Sequence, residues 1–194
     1  MKILSLTGIE KLYFSPVDIA ETLGISGNSA LVTCCRYVKN GFLIRLKRNS
    51  YILRQKWDYI TKEELFKIAN MLLAPSYVSL STSLSHDSAS NKNHGDFIES
   101  ISLKRTKSVK IEGIVFNYLK IKQDYYSPSQ EKDSCRIASP EKSLIDILYL
   151  KYHGKYNIDI SSVDLTKLNK KVLAELASLY PEKIRKYFEK YIYS

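Results

Sequence analysis

Basic side chains are concentrated in one stretch of the sequence that carries no acidic residue. Neither aspartate nor glutamate occurs between Glu21 and Asp58. The basic residues of that stretch are Arg36, Lys39, Arg45, Lys47, Arg48, Arg54 and Lys56. A surface of one sign attracts a polyanion, and the helix and hairpin pattern described below favours duplex DNA. The whole chain of 194 residues has a formal net charge of +10, which also favours an anionic partner.

Two groups of residues in this stretch have side chains that suit contacts to DNA. One group is predicted on the exposed face of a helix, where asparagine can pair with adenine and arginine with guanine or a phosphate. The other is a basic hairpin tip that suits phosphates or the minor groove. For both groups the alternative is a solvated, charged surface. The predicted DNA-binding residues are Ser26, Asn28, Ser29, Thr33, Arg36, Lys39, Arg45, Lys47, Arg48 and Asn49.

Capping residues predict the helices that position these side chains. Ser15-Pro16 begins a helix, Asp18 completes its capping box, and Gly24 ends it. Ser26 is the predicted N-cap of the next helix, which Asn40-Gly41 ends. The predicted inward stripe of that second helix consists of Leu31, Cys34, Cys35 and Val38.

The segments around these helices complete a recognisable order of elements. Residues 2–11 are compatible with a short helix, residues 42–46 and 51–53 with two strands, and residues 47–50 with the turn between them. The order helix, helix, turn, helix, hairpin predicts a winged helix-turn-helix domain over residues 1–55.

The rest of the chain, residues 60–194, is predicted to form a mixed α/β domain that ends in helices. The fold class expected for the whole chain is therefore α+β. Helices are predicted over 61–73, 79–85, 168–179 and 181–192, and another begins at Pro140. Strands are predicted over 97–103 and 111–121, with loops over 85–96 and 123–134.

Little in the sequence points to an enzyme or to a cofactor. The three cysteines lack a paired spacing for disulfides, and the three histidines lack metal-ligand spacing. The sequence contains no P-loop and no dinucleotide-binding fingerprint. We therefore predict no catalytic residues, no metal and no cofactor. The expected location is cytoplasmic, because no stretch is apolar enough to span a membrane.

Two features leave other functions open. Glu141, Lys142 and Asp146 loosely match the carboxylate–lysine clusters of nucleases, although capping and solvation explain them better. The last helix carries an apolar stripe that suits the core of the domain or a protein partner. The stripe consists of Ile184, Tyr187, Phe188 and Tyr191. A protein-interaction module that uses the winged helix and this last helix is thus the main alternative to DNA binding.

Three segments match a known family in the same order along the chain. The first is the predicted winged-helix stretch, residues 14–53. The second, residues 74–80, reads APSYVSL, and the third, residues 136–150, reads RIASPEKSLIDILYL. Together they resemble the AbiEi-type antitoxins of bacterial abortive-infection (type IV) toxin–antitoxin systems.

The resemblance implies a transcriptional regulator. Its winged helix would bind double-stranded operator DNA, expected to carry an inverted repeat, and would repress the antitoxin–toxin operon. The C-terminal domain would counteract a cognate nucleotidyltransferase-like toxin. The residues that match the C-terminal motifs, without an assigned role, are Pro75, Ser76, Tyr77, Glu141, Lys142 and Asp146. The resemblance leaves the oligomeric state open.

Overall fold

The structure is a computed structural model of the chain, and it describes residues 4–86, 96–127, 130–132 and 135–192. Of the predicted loop over 85–96, residues 87–95 lie outside the described residues. The chain divides into two compact units, Met1–Leu65 and Phe66–Ser194. The fold is mixed α/β, since each unit contains helices and strands. Among the described residues, no helix combines the length and the apolar character needed to cross a membrane.

The first unit consists of helices and one antiparallel hairpin. A 3₁₀ turn at Leu4–Gly8 stands where the sequence predicts a short helix. The helices are α1 (Pro16–Leu23), α2 (Gly27–Lys39), α3 (Arg54–Trp57) and α4 (Lys62–Leu72), the last of which spans the boundary between the units. The hairpin strands are β1 (Leu43–Lys47) and β2 (Ser50–Leu53).

The predicted caps of α1 and α2 are confirmed. The Ser15 side chain accepts the main-chain N–H of Asp18, and the Asp18 carboxylate accepts the main-chain N–H of Ser15 at 2.6 Å, which completes the capping box. Gly24 ends α1 with φ of +61°, a conformation that costs glycine little. The Ser26 hydroxyl then accepts the main-chain N–H of Ser29 at 3.2 Å and begins α2. The turn between the two helices is therefore very short.

A small apolar core holds α2 against both α1 and the hairpin. The segment before α1 joins the hairpin, because Phe14 and Tyr51 exchange two main-chain hydrogen bonds of 2.9 Å. The ring of Tyr37 packs edge-on against Phe42, with 6.0 Å between centroids. The buried residues of this core are Leu6, Phe14, Ile19, Ala30, Cys34, Tyr37, Leu43 and Tyr51.

The second unit is built on one six-stranded sheet. Its strands are β3 (Ser76–Val78), β4 (Phe97–Ser102), β5 (Lys107–Ile111), β6 (Ile114–Lys120), β7 (Gln130–Lys132) and β8 (Cys135–Ile137). Their order across the sheet is β5-β6-β4-β3-β8-β7. The pairs β4–β6 and β3–β8 are parallel, and the other three pairs are antiparallel.

The sequence-based prediction missed four of these strands: the edge strands β5 and β7 and the short inner strands β3 and β8. The strand predicted over 111–121 is found as β6, which pairs with the unpredicted β5 across a turn at Glu112 and Gly113, both with positive φ. Strand β7 lies inside the stretch predicted as a loop, 123–134. An edge strand needs few apolar residues, since one side of it faces solvent. Their polar sequences, KSVKI and QEK, therefore gave no strand signal.

Among the described residues of the second unit there are four further α-helices. They are α5 (Leu80–His86), α6 (Pro140–Tyr152), α7 (Lys170–Ser178) and α8 (Glu182–Ile192). Helix α6 is central, because every residue from 142 to 150 is buried. The apolar face of α8 belongs to the same core through Ile184, Phe188 and Ile192. The predicted core role of that face is confirmed, and Tyr187 and Tyr191 pack on each other at its margin.

A buried ion pair lies between α6 and the sheet. Lys142 donates a hydrogen bond to the fully buried Asp146 one turn further along α6. The second carboxylate oxygen of Asp146 accepts hydrogen bonds of 2.9 Å from the hydroxyls of Tyr77 and Ser79. Burial raises the pKa of Asp146, and its hydrogen-bonding partners offset this only in part. Tyr77 on β3 and Ser79 directly after it thus supply two of the donors that the buried Asp146 carboxylate of α6 needs.

Removing one member of this pair should destabilise the protein strongly. Asp146→Asn leaves a buried ammonium without a counter-ion, and we expect a loss of about 3–5 kcal/mol in the free energy of unfolding. The double variant Lys142→Met/Asp146→Asn leaves no charge behind, so it should be more stable than Asp146→Asn alone. Chemical denaturation measures both values.

The exposed pair Lys186–Glu182, also spaced i, i+4 with 2.7 Å between charged atoms, is the matched control. Breaking it with Lys186→Met should change stability little, because solvent screens exposed pairs. Equal effects of Asp146→Asn and Lys186→Met would contradict a structural role for the buried pair.

Candidate nucleic-acid interface

Helix α2 turns a different face inward from the one its sequence suggests. The buried residues of α2 are Ala30, Thr33, Cys34 and Tyr37. The predicted stripe of Leu31, Cys34, Cys35 and Val38 is confirmed at the buried Cys34 and at Val38, which is partly buried and packs against the core. It is wrong at Leu31 and Cys35, which are exposed. The two stripes differ by a rotation of roughly one residue, about 100°, around the helix axis. The position of Tyr37 determines which of these two faces of α2 lies inward, because its large ring fills the space beside Phe42.

This rotation removes Thr33 from the predicted DNA-binding set. Only 8% of the Thr33 surface is exposed, so its side chain lies on the core side of α2. The assignment of Thr33 to the outward face followed from the wrong stripe. Asn28, Ser29, Arg36 and Lys39 are exposed as predicted.

The outward face of α2 also contains residues that the sequence-based prediction missed. Val32 is 67% exposed and Leu31 is 42% exposed, and Cys35 lies on the same outward face. At 100° per residue, Val32 lies between Asn28 and Arg36 on this face. If Ala30 and Tyr37 are taken as the inward-facing residues, the helical spacing alone predicts that Leu31, Val32 and Cys35 lie on the outward face. The face thus combines amide, hydroxyl and cationic groups with an aliphatic patch.

The first turn of α2 is held in place by its own side chains. The Ser26 hydroxyl caps the helix and also lies 2.9 Å from the Ser29 hydroxyl. Both residues remain exposed, so they can still contact a ligand. The guanidinium of Arg36 lies 5.6 Å from the centroid of the Tyr37 ring, which restricts its position.

The β1–β2 hairpin carries the second part of the predicted set. Along β1 the buried Ile44 and Leu46 alternate with the exposed Arg45 and Lys47. The turn residues Arg48 and Asn49 are also exposed, and Asn49 adopts φ of +57°. The pairing of β1 with β2 is irregular between Arg45 and Lys47. A bulge of this kind twists a hairpin and re-aims its side chains.

Four of the five cations of this set have no acidic partner among the described residues. Among the ion pairs between described residues, none involves Arg36, Lys39, Arg45 or Arg48. Asp18, the acidic residue in the capping box of α1, pairs with Lys11. The positive charge of α2 and of the hairpin is therefore available to an anionic ligand.

The residues proposed for a nuclease do not form a paired-carboxylate site. Asp146 is enclosed in the core, whereas the Glu141 carboxylate accepts the main-chain N–H of Asn169 at 3.1 Å. Among the described residues, no group of three or more His, Cys, Asp or Glu side chains could hold a metal ion.

Comparisons with known proteins bear on the fold alone. No family model matches the chain, and no curated protein matches its sequence. The crystal structure of the RV2827C protein from Mycobacterium tuberculosis is similar, with a TM-score of 0.64 and 10% sequence identity. The match covers 98% of this chain and 74% of that chain. At this identity the similarity indicates a shared fold.

The cysteines provide a probe of the α2 surface. Cys34 and Cys135 are buried, and burial raises the pKa of the Cys34 thiol to about 11. Because the thiolate is the reactive form, a maleimide should modify the exposed Cys35 first. Saturating duplex DNA should slow that reaction if α2 enters a groove. Mass spectrometry of the modified peptides measures both rates.

Cys35→Ser is the control, since it should abolish the fast reaction and leave the buried thiols unmodified. An unchanged rate at Cys35 in a solution where the protein is bound to DNA would place the contact elsewhere.

Proposed function

We propose that this protein is a DNA-binding transcriptional regulator whose first unit is a winged helix-turn-helix. The observation that carries the proposal is a set of exposed cations in a stretch without acidic residues: Arg36 and Lys39 on α2, and Arg45 and Arg48 on the β1–β2 hairpin, none of which is in an ion pair between described residues. The order of the elements supports it: α1, a short turn at Gly24, α2, and the hairpin. In this proposal α2 is the recognition helix and the hairpin is the wing.

The two elements have different roles in this proposal. Asn28 and Arg36 on α2 contact base edges in the major groove, where the aliphatic Val32 suits the methyl group of thymine. Arg45 and Arg48 on the hairpin contact phosphates or the minor groove. Phosphate contacts supply most of the affinity, whereas base contacts supply the sequence preference.

DNA binding of this kind should depend strongly on salt. Four to six phosphate contacts predict that the logarithm of the binding constant falls with the logarithm of salt concentration at a slope of about −4 to −5. Arg48→Ala should weaken binding to all sequences and reduce that slope by about one. Asn28→Ala and Arg36→Ala should instead change the sequence preference, by about 1–3 kcal/mol at the base concerned.

Fluorescence anisotropy with a random-sequence duplex, between about 50 and 200 mM salt, measures the slope. Selection of sites from a random library measures the preference. Lys183→Ala on α8 is the control, because Lys183 is also exposed but lies in the second unit. An affinity that does not change with salt would exclude the proposal.

We also propose that the regulator acts as the antitoxin of a toxin–antitoxin operon. This part rests on the AbiEi-type resemblance of residues 14–53, 74–80 and 136–150. The two C-terminal segments meet in the structure, since Tyr77 and Ser79 bond to Asp146. The partner in this proposal is a nucleotidyltransferase-like toxin encoded next to this protein.

Co-expression with that neighbouring reading frame tests the antitoxin role. We expect this protein to restore growth that the toxin arrests. Arg45→Ala/Arg48→Ala should relieve repression of an operon reporter and still restore growth, because both substitutions lie in the first unit. Continued growth arrest in the presence of the folded wild-type protein would contradict this role and leave DNA binding intact.

A further inference from the structure

The positive charge of the second unit is concentrated on its β5–β6 hairpin. Residues 66–194 contain 20 basic and 14 acidic residues, and residues 103–123 alone contain six basic residues and one acidic residue, Glu112. This segment thus holds nearly all the net charge of the unit. The six basic residues are all exposed; they are Lys104, Arg105, Lys107, Lys110, Lys120 and Lys122. None of them is in an ion pair between described residues.

The chain brings five of these six cations to one end of the hairpin. Lys107, the first residue of β5, is paired with Tyr118 near the end of β6. The main-chain N–H of Lys120 donates a hydrogen bond of 3.2 Å to the Thr106 hydroxyl. Lys104 and Arg105 therefore lie beside Lys120 and Lys122. We call these five residues, Lys104, Arg105, Lys107, Lys120 and Lys122, the ribbon cluster.

Protection of the sheet edge explains only part of this charge. Lysines on an edge strand prevent pairing with another chain, which accounts for Lys107 and Lys110 on β5. Lys120 belongs to β6, an inner strand, and Lys104, Arg105 and Lys122 lie outside the strands. Neighbouring like charges repel one another, so this arrangement costs stability unless an anion is bound.

The composition of the ribbon cluster indicates which anion it suits. Protein–protein interfaces are depleted of lysine and enriched in aromatic residues, whereas four of the five residues here are lysines. Surfaces for single-stranded nucleic acid stack bases on exposed aromatic rings. The aromatic residues of the segment, Phe116 and Tyr118, are both fully buried. The ribbon cluster is therefore a set of exposed point charges without aromatic rings, and such a set suits the phosphates of a duplex.

We propose that the ribbon cluster is a second DNA-binding surface, which contacts the phosphate backbone of duplex DNA and reads no sequence. The choice of duplex DNA rests in part on the proposed function of the first unit. The surface itself lies in the second unit and shares no residue with α2 or with the β1–β2 hairpin.

Neutralisation of the cluster in the full-length protein tests this proposal. The ribbon variant carries glutamine at all five positions of the cluster. The charge-matched control carries glutamine at five other exposed lysines of the second unit, namely Lys155, Lys170, Lys171, Lys183 and Lys186. Each lost phosphate contact should reduce the salt slope by about 0.9, so four lost contacts reduce it by about 3 to 4. The control variant should keep the wild-type slope.

A third variant, Arg45→Gln/Lys47→Gln/Arg48→Gln, separates this proposal from the proposed function. If only the ribbon variant loses affinity for a random-sequence duplex, the ribbon cluster binds DNA and the hairpin of the first unit does not. If only the third variant loses affinity, the ribbon proposal is overturned and the proposed function stands. Circular dichroism confirms that each variant is folded before binding is measured.

Two further probes restrict the ligand class. Single-stranded DNA of the same length should bind the ribbon cluster more weakly than the duplex.

Equal slopes for the ribbon variant and its charge-matched control would overturn the proposal. So would binding of the ribbon cluster to polyglutamate without binding to the duplex, because that result identifies a surface for an acidic protein.

Discussion

The buried pair of Lys142 and Asp146 is the interaction on which the second unit depends. A charged carboxylate in a protein interior is tolerated only when its oxygens are bonded, and here Lys142, Tyr77 and Ser79 supply the donors. The pair therefore fixes how α6 lies on β3. It also gives a physical reason why the segments APSYVSL and RIASPEKSLIDILYL belong together: each supplies groups that the other leaves unsatisfied.

The local signals in the sequence were sufficient for the elements that carry caps. Ser15, Asp18 and Gly24 determine where α1 begins and ends, and Ser26 determines where α2 begins, because each satisfies main-chain groups of its own helix or adopts positive φ. The turn between the helices could therefore be predicted. Most residues of the candidate interface lie on α2 or on the hairpin that follows, so most of them could also be placed from the sequence.

The sequence-based prediction was wrong where contacts between residues distant in sequence determine the structure. The spacing of apolar residues on α2 allowed two inward faces, and the packing of Tyr37 against Phe42 selects the one that buries Thr33. The two edge strands β5 and β7 contain too few apolar residues to be distinguished from loops. Only their pairing with β6 and β8 makes them strands, and pairing is a property of residues distant in sequence.

The separation of the two faces of α2 has a consequence for the evolution of the protein. Ala30, Thr33, Cys34 and Tyr37 carry the packing of the helix, whereas the exposed positions around Val32 contribute little to the core. We therefore expect substitutions at these outward positions to change the stability of the unit little. The proposed recognition surface is thus free to diversify while its scaffold stays constant, so that under the proposed function a few changes along one helix would suffice to change the ligand.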